Sequence, residues 1–117
     1  MNVETIREYC LLKTGCSESF PFGEETLVFK VGDKIFALMG LNSEDPGINL
    51  KCDPEYAIEL REQYEAILPG YHMNKKHWNT VKIAQGLSDS LIKELIDHSY
   101  NLVYKSLPKK VKEELGL

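Results

Sequence analysis

The sequence has no long apolar run. The longest, Ile35 to Leu41, includes Gly40 and falls far short of the roughly 20 residues that a helical membrane span needs. The N-terminus lacks the basic start and apolar core of a signal peptide, so a cytoplasmic protein that does not enter membranes is expected. Cysteine is scarce as well. Cys10, Cys16 and Cys52 are odd in number and follow no close pairing motif, which predicts reduced thiols without disulfides. None shows the combination of a base and a positive setting that would make it a nucleophile. No glycine-rich phosphate loop and no nucleophile elbow occur, and spacing assembles no converging set of carboxylates and histidines. His72 and His77 are five residues apart, on opposite faces of a strand and well separated on a helix, and no spacing supplies a third ligand. The residues therefore predict no catalytic machinery, no metal and no cofactor.

What is present describes one globular domain. The 117 residues are 43% hydrophobic and 27% charged, ordinary for a packed protein, and a single domain over 1–117 is expected. A chain of this size can bury enough surface to fold without a disulfide or metal. The formal net charge of −4 argues against a generic nucleic-acid binder, which carries a basic excess; only a local basic patch would serve.

Periodicity gives an α+β fold: an antiparallel sheet with N-terminal, middle and C-terminal helices. Val3, Ile6, Cys10 and Lys13 recur at helical spacing behind an Asn2 cap, with Gly15 as a stop. Thr26–Val31 and Lys34–Leu41 flank Gly32-Asp33, a two-residue turn of the primed type. The simplest register sets Val31 opposite Lys34, Phe29 opposite Phe36 and Leu27 opposite Leu38. One face is then Leu27, Phe29, Val31, Phe36 and Leu38, and the other is Val28, Lys30, Ile35 and Ala37. A third strand follows, with Ile48, Leu50 and Cys52 alternating against Asn49 and Lys51. Asp53 and Pro54 open a helix that buries Ala57, Leu60 and Tyr64 and sends Glu55, Glu59 and Glu62 to water. Pro69-Gly70 is a break, and Val81 and Ile83 alternate as a strand ending at Gly86. Ser88 caps the last long helix, whose core stripe is Leu91, Ile92, Leu95, Ser99, Leu102 and Val103, with His98 facing water. Pro108 opens a short basic tail helix that ends near Gly116.

Several segments resemble the MmcQ/YjbR family: Pro21-Phe22-Gly23, the run Leu27–Leu38, Asn49–Glu55, Pro69–Trp78, Ser99–Val103 and Leu107–Lys110, in order along nearly the whole chain. The resemblance implies a mixed fold with an antiparallel sheet and helices from both ends of the chain, described for the family as a double wing and likened to some DNA-binding domains. It implies a DNA-binding label and no catalytic residues. The only candidate site it carries across is the stretch from Tyr71 to Trp78. There Lys75 and Lys76 can neutralise phosphates, His72 and Asn74 can hydrogen-bond, His77 adds a further polar ring, and Tyr71 or Trp78 can stack on a base. Lys105, Lys109 and Lys110 extend the patch if the last helix ends beside that loop. The plainer alternative is a polar loop that Trp78 anchors to the core. Two classes of partner stay open: nucleic acid through this loop, or a protein through the wet sheet face or the acidic side of the middle helix.

Overall fold

The computed structural model describes residues 1–116. Its framework is a six-stranded antiparallel sheet: β1 (Cys16–Ser19), β2 (Thr26–Val31), β3 (Lys34–Gly40), β4 (Gly47–Lys51), β5 (Ile67–Pro69) and β6 (Trp78–Lys82), in the order β1-β2-β3-β4-β6-β5. Three helices, α1 (Val3–Leu11), α2 (Pro54–Gln63) and α3 (Asp89–Ser106), cover one face, and the short α4 (Lys109–Glu114) closes the chain. The caps follow the sequence. Asn2 accepts from the Thr5 N–H, Asp53 from that of Tyr56 and Ser88 from that of Leu91.

Gly32 and Asp33 both lie at positive φ (55° and 64°), as a primed turn requires. From that turn the pairs Val31–Lys34 and Lys30–Ile35 form, but the expected register then breaks. A β-bulge lies between Phe29 and Lys30, Phe36 is left over, and the ladder continues as Phe29–Ala37, Val28–Leu38 and Leu27–Met39. Phe29 is thus not opposite Phe36, nor Leu27 opposite Leu38. The inner face carries Phe36 and Ala37 together, then Met39, whereas Leu38 moves to the outer face beside Val28.

Packing explains the bulge. Phe36 is fully buried, with its ring 6.4 Å from Phe29 and edge-on to Tyr100 at 5.4 Å. Its carbonyl accepts from the buried Ser99 hydroxyl at 2.6 Å, and the same hydroxyl accepts from the Lys51 N–H at 2.9 Å. One α3 side chain thus bridges β3 and β4 where their own pairing stops, satisfying two backbone groups. The inner core joins Ile6 and Cys10 of α1, Ala57 and Leu60 of α2, and Ile92, Leu95, Ile96 and Val103 of α3 to the strands. Leu91, Leu102 and Tyr64, expected in it, are only half-buried.

Two strands were not expected. β1 reads Cys-Ser-Glu-Ser and β5 ends on a proline; both are short edge strands, where polar residues and proline guard against further pairing. His98 also departs from expectation. It is half-buried, stacks edge-on against Tyr56, and its Nε2 accepts from the Asp53 N–H at the start of α2. Cys10, Cys16 and Cys52 are free thiols. Burial pushes the Cys10 thiol up to about 12 and those of Cys16 and Cys52 up to about 11, so none is a thiolate at neutral pH.

Phe29→Ala should lower unfolding stability by roughly 3–5 kcal/mol in urea titrations. Ser99→Ala should cost at least about 2 kcal/mol by orphaning two backbone groups, whereas Ser99→Thr, which keeps the hydroxyl, should cost less; equal losses would show that the bridge contributes nothing. Burial holds the folded His98 pKa below its ordinary value, so the unfolded chain binds the proton more readily and stability rises with pH through this window. Stability should therefore fall as pH drops below the unfolded value of about 6.5. The fall should shrink in His98→Gln when wild type and variant are compared at pH values on either side of that point.

Candidate nucleic-acid interface

The candidate stretch forms the connection between β5 and β6, and its backbone is held tightly. Gly70 donates to the Trp78 carbonyl at 2.9 Å, and the Asn74 carbonyl accepts from the His77 and Trp78 N–H groups. The Asn74 side chain accepts from the Lys76 N–H, so this residue shapes the turn. A Cβ on Gly70 would sit 2.8 Å from that of Trp78, so only glycine allows this approach. His72 occupies the left-handed region at φ 58°.

Arg61 of α2, which the sequence reading passed over, anchors the loop from behind. Its guanidinium donates to the carbonyl of Lys75, to that of Trp78 at 3.5 Å and to the Asn79 side chain at 2.6 Å. The His77 carbonyl accepts from the Cys52 N–H just past β4. Lys75 and Lys76 are thereby left exposed at the tip, Lys75 reaching back to the Gly70 carbonyl at 3.4 Å. Trp78 is half-buried at the first position of β6, paired with Lys51. Tyr71 and His72 turn toward the outer sheet face with ring centroids 4.0 Å apart; Tyr71 is 70% exposed, and its N–H donates to the Thr80 hydroxyl.

Register sorts the charges by the ends of the strands. Lys34, Lys51, the loop with Lys75 and Lys76, and the Gly32-Asp33 turn all fall at one end. Lys30 lies one residue in. α4 reaches that same end, because Val111 and Leu107 contact Gly32, and it brings Lys109 and Lys110 there, both exposed. Asp33, Asp53, Glu55 in the first turn of α2, and Glu113 and Glu114 in the last turn of α4 are acids on this side. The opposite end carries Glu24, Glu25, Glu44 and Asp45 in the connections into β2 and β4, then Glu62 and Glu65 before β5 and Asp89 at the start of α3. Spacing alone could not reveal this, since the lysines come from five separate segments.

The outer sheet face also holds a cleft of about 700 Å³, unforeseen in the sequence. Leu38, Asn49, Leu68 and Thr80 line it from the strands, Phe22 from the Pro21-Phe22-Gly23 turn, and Tyr71, His72 and Met73 from the loop. Lys82 and Asp45 close one side, paired at 3.4 Å, and Asp45 also accepts from Gln85 at 2.9 Å. Among the described residues no three His, Cys, Asp or Glu side chains converge as a metal ion would require, and no helix is long and apolar enough to cross a membrane.

A family model described as YjbR matches residues 11–102. The chain is 34% identical over 115 residues to the uncharacterized protein YjbR of Escherichia coli K12, covering 98% of each. It is 46% identical over 91 residues to the uncharacterized protein YbdF of Escherichia coli O157:H7, which covers 78% of this chain and 75% of that one. A Deinococcus radiodurans crystal structure of the domain family DUF419 superposes with a TM-score of 0.93 at 41% identity, covering 99% of this chain and 88% of the other. A Pseudomonas syringae crystal structure does so with a TM-score of 0.77 at 32% identity, over 88% and 99%. The matched region takes in the Pro-Phe-Gly turn, the hairpin and the loop from Gly70 to His77, and the chain belongs to the YjbR family.

Proposed function

We propose that this protein binds nucleic acid, DNA by preference, through the basic end of the sheet and the loop between β5 and β6. The observation that carries the reading is the gathering of Lys30, Lys34, Lys51, Lys75, Lys76, Lys109 and Lys110 at one end of a molecule whose net charge is −4. A net acidic protein can hold a polyanion only if its cations are local, and phosphate neutralisation is the largest source of affinity in such complexes. Exposed aromatic and hydrogen-bonding groups beside the lysines supply what a phosphate-only surface lacks. Such a protein acts by binding, without catalysis, in the cytoplasm.

A protein partner is the second reading. Ile58, 52% exposed on α2, stands among the solvated Glu55, Glu59 and Glu62, and an apolar residue ringed by carboxylates suits a basic partner surface.

Fluorescence anisotropy with labelled DNA and RNA at two salt concentrations separates the readings. Binding should weaken steeply as salt rises. Lys75→Ala with Lys76→Ala should lower affinity for all sequences alike and reduce the slope of log K against log salt by about 1.5–2. Unfolding stability should change by no more than about 0.5 kcal/mol, because both lysines are exposed. Absence of salt-sensitive binding at low salt, or an unchanged slope in the double variant, would transfer the assignment to the protein partner.

A further inference from the structure

The cleft on the outer sheet face lies across the sheet from the helix-covered core. Its rims carry two large aromatic rings on separate turns, Phe22 at 66% and Tyr71 at 70% exposure. Neither ring belongs to the inner core. Between them the floor is apolar, with Leu38 and Leu68, and one polar pair crosses it: the Thr80 hydroxyl donates to the Asn49 side-chain amide oxygen. That bond leaves the Asn49 amide with its N–H groups to offer a ligand. About 700 Å³ lies within the range of sites that enclose small organic groups.

We infer that this cleft seats an unpaired base of single-stranded nucleic acid, held between Phe22 and Tyr71, an assignment that rests on the nucleic-acid reading above. Lys51 stands two residues, about 7 Å, along the same face of β4 from Asn49. A phosphate on Lys51 therefore brings its own base or the next one over the cleft, while the strand continues along Lys30, on the same outer face, or toward Lys75 and Lys76. The cleft's single carboxylate, Asp45, is already engaged by Lys82 and Gln85, so it does not oppose the phosphates. A duplex keeps its bases stacked and shows only edges and backbone, leaving both rings in water; an open strand uses both faces of a base. The Asn49 amide donors then favour bases that present a carbonyl oxygen, which are thymine or uracil, cytosine and guanine.

The test uses the whole protein and a labelled oligonucleotide of about twelve nucleotides, single-stranded or annealed to its complement. The single strand should bind at least about ten-fold tighter, and a 2-aminopurine placed beside a thymine in it should change its fluorescence on binding as the thymine leaves the stack. Phe22→Ala and Tyr71→Ala should each weaken single-strand binding roughly five- to a hundred-fold, and Phe22→Ala should leave duplex binding unchanged. Both rings are exposed, so both variants should fold, which a thermal melt checks. Equal affinity for duplex, or single-strand binding indifferent to both aromatic substitutions, overturns base seating and leaves the lysine-based reading standing. No binding of either form at low salt overturns both.

Discussion

The Ser99 hydroxyl, shared between the Phe36 carbonyl and the Lys51 N–H, is the contact on which the architecture turns. It sits where β3 and β4 stop pairing with each other and where Phe36 bulges out of the hairpin ladder. With the bulge stabilised, Phe36 and Ala37 both enter the core, and every residue of β3 beyond them changes sides relative to an unbroken hairpin. Leu38, displaced from the inner core, becomes part of the floor of the outer cleft. A serine on one helix thus helps decide what the opposite face of the sheet presents.

The local chemistry of the fold was legible before any coordinates. Caps at Asn2, Asp53 and Ser88, the primed turn at Gly32-Asp33 and the alternation of Ile48 and Leu50 are read from neighbouring residues, and each forms as expected. What the sequence withheld depends on partners far along the chain. The bulge answers to Ser99 and Tyr100, some sixty residues away, and nothing in the hairpin itself distinguishes Phe36 as the residue to leave unpaired. The edge strand Cys16–Ser19 has almost no strand signal because its outward edge is selected not to pair.

The candidate loop was recognisable by its mixture of bases and aromatics, but its mechanics were not. Asn74, grouped with the binding residues by type, shapes the turn, and His77 and Trp78 help tie the loop to the sheet. The surface available to a ligand is narrower, chiefly Tyr71, His72, Lys75 and Lys76. Arg61 lay hidden for the converse reason: an arginine among glutamates on an amphipathic helix reads as a surface charge, and only the fold turns it inward onto three oxygens of the loop and β6.

The separation of charge along the strands makes the molecule a permanent electric dipole as well as a weak anion. Far from a polyanion the net charge acts first and repels, though salt confines that repulsion to about a Debye length, roughly 8–10 Å. Inside that distance the field exerts a torque that swings the end with Glu24, Glu44 and Glu65 away and brings the lysine end forward. Encounters are therefore oriented before any contact forms, and collisions with the wrong end are turned back. For a polyanion bound as proposed above, acidity elsewhere on the surface then acts as a filter on approach, confining the phosphates to one pole of the protein.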